Sequence, residues 1–518
     1  MGEGSSGEAS LRCADLLAAL SLVTDLGMGN PPEVAMRGCL LATSLACRLG
    51  VDEGTAADIY YTTLLRYVGC TAPAHEQAFL SGGDDVRLRA GRALLDSARR
   101  LDALGLLVSQ THDQPPLRRA RQLAVAITHP WAERQVKTAD CEVASAIARR
   151  IGLSAGVQRS LHEIFERWDG RGTPQGLRGE AISLPARYAQ VATLAVLIER
   201  HAGVDAALAT LRLRAGGQLD PTLTAAFVAQ GSRLLEEISA ADAWRAVLEA
   251  EPSPHDNILE RRLDEVARAF GDMVDLKTLF TPGHAAGVAE LAEGAARELR
   301  LGDPETRAIK RAALLHDLGR AGVPNGIWER PGPLSTADWE RVRLHAYHTE
   351  RILARSPTLA PLAAIAGQHH ERQDGSGYHR QARSASIPIA ARVLAAADVY
   401  QALTQGRPHR PARPADAAAD WLAAEARAGR LDHDAVGAVL TAAGHRGRTP
   451  RRSWPCGLSE REVEVLRLLA RGCSTREIGR QLVISAKTAD HHVQHVYTKI
   501  GVTTRASATM FALEHDLL

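Results

Sequence analysis

An internal repeat constrains this chain more than any other feature. The stretches LLRYVGC (64–70) and LLHDLGR (314–320) share the pattern Leu-Leu, two variable residues, aliphatic, Gly, and they lie 250 residues apart. The same offset aligns SLVTDLGMGNPPEV, ending at Val34, with GDMVDLKTLFTPGH, ending at His284. Further on the offset becomes 205, and Glu166–Thr193 aligns without gaps on Glu371–Asp398. Because this period far exceeds that of solenoid repeats, we expect two copies of one domain.

Both copies have the pattern of successive helices. In the second copy an amphipathic face follows the first histidine, with apolar residues at helical spacing: Val288, Leu291, Ala292, Ala295 and Leu299. Glycine-rich DGxG segments mark loops in both copies, and GGQLDP (from Gly216) is echoed by AGRLDH (from Ala428). The predicted fold class is therefore all-α, with tandem helical bundles.

Composition and cysteine spacing indicate the cellular location. The 518 residues suggest about three domains. No apolar run approaches the roughly 20 residues that span a bilayer, and MGEGSSGEAS lacks the features of a secretory signal. None of the seven cysteines forms a CxxC pair, which favours reduced thiols. We expect a cytoplasmic protein that does not bind membranes.

The two copies differ in their polar residues. The second copy holds seven potential metal ligands: His284, His316, Asp317, His345, His369, His370 and Asp398. The aligned residues of the first copy are Val34, Arg66, Tyr67, Asp140, Ile164, Phe165 and Thr193. Six of these seven have lost ligand character, so the second copy is predicted to keep a site and the first only a fold.

Five histidines and two aspartates suit two transition metals. Imidazole and carboxylate ligands favour Fe, Mn or Zn, and seven ligands exceed the four of one tetrahedral centre. Asp317 is the natural bridge between two ions. On a helix, His369 and His370 would point about 100° apart, so we expect them to reach two adjacent ions. Two such ions favour phosphoester hydrolysis, and Arg320 could neutralise a phosphate.

The ordered set of ligands carries a resemblance to a family. His284, the pair His316–Asp317, His345, the pair His369–His370 and Asp398, with DGSGY between the last two, resemble the HD-GYP branch of HD-domain phosphohydrolases over roughly Leu259 to Ala443. The resemblance implies an all-α fold, an iron or manganese site of two or three metals, and hydrolysis of cyclic di-GMP or related cyclic dinucleotides. The family's GYP reads GYH here, and the Lys of its HDxGK is Arg320. The first copy, over roughly Ser10 to Glu249, resembles a degenerate HD domain.

The C-terminal segment is basic and patterned as short helices. From Arg446 to Leu518 it holds twelve Lys or Arg and seven Asp or Glu, a net charge of +5 in a chain whose total is +2. This imbalance favours a polyanionic partner for the segment. Glu460–Ala470 is patterned as a helix that Gly472 ends, Ser474 and Glu477 form a predicted capping box, and Ser485 is predicted to cap the next helix.

Two short helices joined by a tight turn indicate a helix-turn-helix, whose second helix enters the major groove. Its outward residues are predicted to contact DNA, with Lys499 near phosphate: Lys487, Thr488, His491, Gln494, His495 and Lys499. LSEREVEVLRLLARG, STREIGRQL, ISAKTADHHV and YTKIGVTTRASA resemble the LuxR-type DNA-binding domain, which implies a four-helix unit over Gly457–Leu518. A protein-binding helical tail is the alternative.

These interpretations combine into a cytoplasmic transcription regulator, expected to act as a homodimer on an operator in double-stranded DNA. Its predicted parts are a disordered N-terminus (1–9), a degenerate HD-like domain (10–255), an HD-GYP-like metal-dependent phosphohydrolase (256–445), a linker (446–456) and a LuxR-type domain (457–518). Two alternatives stay open at this point. The metal domain could bind a nucleotide only as a sensor, or it could be a di-iron oxygenase.

Overall fold

The structure is a computed structural model. It describes residues 10–96, 132–253, 255, 257–445, 454–515 and 517, with scattered positions between 102 and 124. The predicted disordered N-terminus and most of the predicted linker lie outside the described residues. The domain boundaries given above stay predictions. Below, "first copy" denotes residues 10–255 and "second copy" residues 256–445.

The first copy is helical after one short strand. Its elements are β1 (Ser10–Arg12), α1 (Cys13–Met28), α2 (Val34–Arg48), α3 (Glu53–Leu64), α4 (Ala74–Ser81), α5 (Asp85–Leu94), α6 (Ala132–Ile151), α7 (Ala155–His162), α8 (Leu184–Ala202), α9 (Val204–Arg214), α10 (Pro221–Val228), α11 (Gly231–Ala240) and α12 (Ala243–Glu249).

The second copy has the same architecture. Its elements are β2 (Asn257–Leu259), α13 (Leu263–Asp275), α14 (His284–Glu298), α15 (Asp303–Leu315), α16 (Asn325–Trp328), α17 (Thr336–Leu353), α18 (Ala360–Ala366), α19 (Ile389–Thr404), α20 (Ala415–Arg427) and α21 (His433–Ala442), with 3₁₀ turns at Glu260–Arg262, Leu318–Gly322 and Ser384–Ser386.

The all-α prediction is confirmed, with one small addition. β1 and β2 pair antiparallel, with Ser10 opposite Leu259 and Arg12 opposite Asn257. A two-stranded ribbon of three residues per strand therefore joins the start of the first copy to the start of the second. Such short strands carry no periodicity that a sequence could reveal. No helix in the described part of the chain combines the length and the apolar character needed to cross a membrane.

Equivalent contacts recur in the two copies, which supports the duplication. The buried Asp25 carboxylate accepts the N–H of Ala35 in the first copy, and Asp275 accepts the N–H of Ala285 in the second. The first bond holds the start of α2, which begins at Val34, and the second holds the start of α14, which begins at His284. Burial raises the pKa of Asp25 to about 8 and that of Asp275 to about 6.

A glutamate holds the DGxG loop in each copy. The Glu166 carboxylate accepts backbone N–H groups of the first loop, at 2.6 Å from Gln175 and 3.0 Å from Leu177. The Glu371 carboxylate does the same in the second loop, at 3.1 Å from Arg380 and 2.9 Å from Ala382. The scaffold has thus kept its own polar contacts in both copies.

Two glycines allow helices to touch at the centre of each copy. A Cβ atom on Gly69 would lie 2.0 Å from the backbone oxygen of Asp140, and one on Gly319 would lie 2.0 Å from that of His345. Both distances are far below van der Waals contact. The glycines of the two opening phrases are therefore required for close packing, which in the second copy brings the segment after α15 against α17.

The two copies share one core and a buried ion pair. Most of their buried apolar residues form one cluster that includes helices of both copies. At the contact, Asp85 at the start of α5 accepts from Lys277 Nζ at 2.8 Å, and both side chains are almost fully buried. Asp85 also pairs with Arg89 at 2.7 Å and accepts the backbone N–H of Asn325 at 2.6 Å. One carboxylate of the first copy therefore holds two segments of the second.

The C-terminal helices are α22 (Glu460–Ala470), α23 (Thr475–Gln481), α24 (Ala486–Ile500) and α25 (Arg505–Glu514). Capping boxes begin α22 and α23, at Ser459 with Glu462 and at Ser474 with Glu477, and Ser485 caps α24. A separate apolar cluster holds these helices together.

Candidate metal centre

Five segments of the second copy bring the predicted ligands together. His284 begins α14, His316 and Asp317 directly follow α15, and His345 lies in α17. His369 and His370 follow α18, and Asp398 lies in α19. Six of the seven side chains are buried, and His370 is partly exposed. In the described part of the chain, the groups of His and Asp with metal-ligand spacing are all formed by these residues.

Asp317 is the centre of the cluster. Its Oδ1 lies 3.3 Å from His345 Nε2 and 3.7 Å from His369 Nε2. Its Oδ2 lies 3.4 Å from His316 Nε2 and 3.8 Å from His284 Nε2. Each carboxylate oxygen therefore faces a different pair of imidazoles, as a carboxylate between two ions would.

Asp398 closes the other side. Its Oδ1 lies 3.1 Å from His284 Nε2 and 3.8 Å from His316 Nε2, and its Oδ2 lies 3.7 Å from His370 Nδ1. His284, His316 and Asp398 form one compact group of potential ligands. A second group, His345, His369 and His370, shares no residue with it, and a third, His316, Asp317 and His369, joins the two.

Hydrogen bonds fix which imidazole nitrogen faces the centre. His316 Nδ1 donates to the carbonyl of Ala313 at 2.6 Å, and His369 Nδ1 donates to that of Ala366 at 2.6 Å. His345 donates in the same way to the carbonyl of Val342. His284 Nδ1 contacts Gln405 Oε1 at 2.9 Å. Outer contacts of this kind orient ligating imidazoles and leave Nε2 as the free donor atom.

His369 and His370 differ from the sequence expectation. They lie in a turn after α18 and not on a helix, and their ring centroids are only 4.0 Å apart. Both belong with His345 to one group whose ligand atoms lie within 4.8 Å of one another. The prediction that they reach two separate ions assumed helical geometry, so its premise was wrong.

The electrostatics of the cluster suit a cation. His345 Nε2 and His369 Nε2 lie 3.2 Å apart, and each ring already uses its Nδ1–H. The buried Nε2 of His316 has no hydrogen-bond partner. Lone pairs that face one another in a buried site require a proton or a metal ion between them. The donor set therefore fits transition-metal ions.

Charges in the cluster are strongly coupled. Burial opposes ionisation of Asp317, but the positive charges of Arg320 and His316 hold its pKa well below the usual range. Burial also opposes protonation of His316, but the Asp317 charge raises its pKa to about 9. Burial lowers the pKa of His369 to about 4 and that of His370 well below its usual value. Asp317 is thus negative and His369 and His370 are neutral, the protonation states that metal ligands need, whereas His316 holds a proton that a bound ion would displace.

A cavity of about 710 Å³ opens beside the cluster. Asp317, His345, His370 and Asp398 form its floor, and aromatic side chains of Phe280, Trp328, Trp339 and Tyr378 form part of its walls. Four arginines also line it: Arg320, Arg330, Arg407 and Arg410. Such a cavity suits a ligand that carries both phosphates and flat rings.

Arg320 lies between the cluster and the wall. Its Nη1 donates to Asp317 Oδ2 at 2.6 Å, and its guanidinium carbon lies 4.3 Å from the centroid of the Trp328 ring. The side chain is thereby held at the edge of the metal ligands. This position is compatible with the predicted contact to phosphate.

Sequence reasoning missed Arg407 and Gln405. Arg407 donates to the Phe280 carbonyl at 2.9 Å and to Gln405 Oε1 at 3.3 Å. Burial, followed by the charge of Arg320, lowers the pKa of Arg407 to about 10. Gln405 thus joins a cavity arginine to His284. The segment QGRPHR soon after Asp398 was the available signal, since two arginines there follow a ligand-bearing helix.

In the helix-turn-helix, five of the six predicted DNA contacts are exposed on α24: Lys487, Thr488, His491, Gln494 and His495. Val493 and Val496 face the core from the same helix. Lys499 differs, because its Nζ donates to Glu462 at 2.7 Å and to the Gly457 carbonyl at 2.9 Å. It holds α24 to α22 within the domain.

Two family models match the chain. Residues 268–435 match the HD domain, and residues 457–512 match the bacterial regulatory proteins of the luxR family. The first match includes every residue of the metal cluster. The second includes α22, α23 and α24.

Curated relatives match over most or part of the chain. The 3'3'-cGAMP-specific phosphodiesterase 3 of Vibrio cholerae is 30% identical over 411 residues, which are 78% of this chain and 89% of that protein. A cyclic di-GMP phosphodiesterase of Thermotoga maritima is 35% identical over 158 residues, 30% of this chain and 43% of that protein.

A crystal structure of a cyclic GMP-AMP specific phosphodiesterase from V. cholerae superimposes with a TM-score of 0.58 at 27% identity, over 84% of this chain and 98% of that one. The likeness therefore extends over both copies and is not confined to the metal cluster.

Proposed function

This chain belongs to the HD-GYP family of cyclic dinucleotide phosphodiesterases and carries a luxR-family DNA-binding domain, and we propose that it hydrolyses a cyclic dinucleotide. We also propose that it binds an operator, and that nucleotide binding and DNA binding affect each other. The proposed substrates are those of its relatives, 3'3'-cGAMP and cyclic di-GMP. The DNA-binding domain supports a cytoplasmic location.

One observation carries the hydrolytic proposal. Seven His and Asp side chains, Asp317 among them, come together beside a cavity that arginines and aromatic rings line. We propose two transition-metal ions, Fe or Mn and alternatively Zn, held by these seven residues with Asp317 between the ions. When bound, such ions generate hydroxide at neutral pH and polarise a phosphoester.

The remaining work belongs to side chains of this chain. Arg320, fixed between Asp317 and Trp328, is placed to contact a phosphate oxygen as charge develops on it. Arg407 extends the same positive surface and is held by Phe280 and Gln405. Trp328 and Tyr378 offer faces on which a base can stack. Asp317 and Arg320 are the proposed catalytic pair.

A turnover assay tests this proposal and its alternatives. Purified full-length protein with its native metal is expected to linearise at least one of 3'3'-cGAMP, cyclic di-GMP and cyclic di-AMP, with or without oxygen. Binding without turnover across the panel would favour the nucleotide sensor instead. Product formed only with iron and oxygen would favour the oxygenase.

The DNA-binding proposal rests on the exposed face of α24. Lys487, Thr488, His491, Gln494 and His495 are proposed to enter the major groove of double-stranded DNA. The segment Arg446–Leu518, whose net charge is +5, is expected to bind DNA weakly and with strong salt dependence. We therefore also propose a homodimer, which would place two such domains on two half-sites. A metal-bound nucleotide that changes the dimer would change DNA affinity, and the reverse must also hold.

Replacing His491 with alanine is expected to reduce discrimination between operator and non-cognate DNA by about 1–3 kcal/mol, the worth of a good contact to a base edge. Lys499→Ala is expected to change discrimination less, because that amino group already pairs with Glu462. Both variants would be titrated against the two DNAs at one salt concentration. A larger loss of discrimination for Lys499→Ala would reverse the assignment.

A further inference from the structure

The first copy contains a small cavity at the place where the second has its ligands. Its volume is about 140 Å³. Arg66, Tyr67, Asp140 and Phe165 line it, and these residues align with His316, Asp317, His345 and His370. Loss of the ligands has therefore left a space that packing has not filled.

Arg66 enters this cavity with unused hydrogen-bond donors. Its Nε and Nη1 are buried and have no hydrogen-bond partner. The other cations of the lining have partners in the described part of the chain. Arg89 pairs with Asp85 at 2.7 Å, and Lys137 and Arg92 lie 3.0 and 3.5 Å from Glu133.

Asp140, a carboxylate that lines the same cavity, does not neutralise the charge of Arg66. Asp140 Oδ1 is buried without a hydrogen-bond partner, and no ion pair joins Asp140 to Arg66 among the described residues. Burial raises the pKa of Asp140 to about 7, although the charges of Arg89 and Arg66 oppose the rise. The buried, unpaired Nε and Nη1 of Arg66 and the partly neutral acid beside them form a positive site, which is unfavourable unless an anion enters.

We propose that this cavity binds a small oxyanion, a phosphate or a carboxylate group, through the guanidinium of Arg66. Guanidinium donors match the paired oxygens of both groups. The volume corresponds to about five waters at roughly 30 Å³ each. It accommodates a group of phosphate size and excludes a whole cyclic dinucleotide.

Helix α5 connects this site to the second copy. Arg89 and Arg92 of α5 line the cavity, and Asp85 at the start of the same helix holds Lys277 and the N–H of Asn325. Asn325 begins α16, which supplies Ile327 and Trp328 to the large cavity. An anion held beside α5 is thus expected to change turnover. The expected effect on turnover rests on the proposed function, whereas the proposed binding of an anion does not.

Calorimetric titration of the full chain with inorganic phosphate, and separately with acetate, tests the site. Wild type is expected to bind at least one anion, and Arg66→Met is expected to weaken that binding at least tenfold. Arg320→Met serves as the matched control, since it removes a cation from the second copy and is expected to leave the Arg66-dependent binding in place. Binding of phosphate alone or acetate alone would identify the ligand class.

No binding of either anion by wild type, or equal binding by wild type and Arg66→Met, would overturn the proposal. If circular dichroism shows that Arg66→Met does not fold, Arg66→Gln carries the same expectation. Turnover is then measured with and without the bound anion. Unchanged turnover beside intact Arg66-dependent binding would remove only the coupling through α5.

Discussion

Replacing Asp317 with alanine is expected to remove most of the bound metal and to lower turnover of the cyclic dinucleotide at least about 100-fold. Changes to the outer contacts of metal ligands alone cost 10–100-fold, and Asp317 faces four imidazoles directly. Its loss also leaves Arg320 without its carboxylate partner. Elemental analysis of wild type should find about two transition-metal ions per chain by the ligand count above.

Asp303→Ala is the control for this substitution. Asp303 is an exposed carboxylate at the start of the same helix that precedes Asp317, so its replacement should leave metal content and turnover unchanged. Wild-type protein that holds almost no metal after preparation without chelators would contradict the metal centre. Full metal retention in Asp317→Ala would contradict the role of that residue as a bridge.

Asp85→Asn is expected to destabilise the chain by about 3–5 kcal/mol, the usual effect of removing one partner of a buried ion pair. Asp85 pairs with Lys277 and Arg89, all three side chains being almost fully buried. The neutral amide would leave two buried cations without a counter-charge. Urea unfolding followed by circular dichroism would measure the difference.

The pH dependence of this effect has a definite sign. Burial favours the neutral acid, but Lys277 and Arg89 lower the pKa of Asp85 below its usual value. An aspartate with a lowered folded pKa stabilises the fold above its unfolded pKa of about 3.9. That contribution is lost as the pH falls through the folded pKa. The gap between wild type and Asp85→Asn should therefore be full at neutral pH and shrink only below about pH 4.

The adjacent residue provides the control. Asp84 caps α5 by accepting the N–H of Arg87, and asparagine caps helices about as well as aspartate. Asp84→Asn should change the free energy of unfolding by less than about 1 kcal/mol. Equal losses for the two variants would show that the ion pair is not the source of the stability.

Much of the fold and of the candidate site could be predicted because the signals are local or repeated. Ser474 and Ser485 were predicted to cap helices, and both do so. The seven candidate ligands could be selected because a sister copy without them was available for comparison. The structure brings all seven together.

The unpredicted features depend on contacts distant in sequence. Asp85 and Lys277 lie 192 residues apart, and neither carries a pattern that identifies its partner. Gln405 contacts His284 across 121 residues. His369 and His370 were assigned helical directions although Gly367, the residue directly after α18, is a local signal for the end of a helix. The topology of the fold determines which distant residues come into contact, and the spacing of apolar residues along the sequence does not reveal it.

The buried contact between Asp85 and Lys277 also bears on the history of the chain. A gene that lost the segment encoding the first copy would leave Lys277 facing solvent or an apolar surface without its counter-ion. The same deletion would divide the shared core. Reversal of the duplication would thus require compensating substitutions in the catalytic half at the same time. The two copies therefore depend on each other for stability, even though only the second has kept the metal ligands.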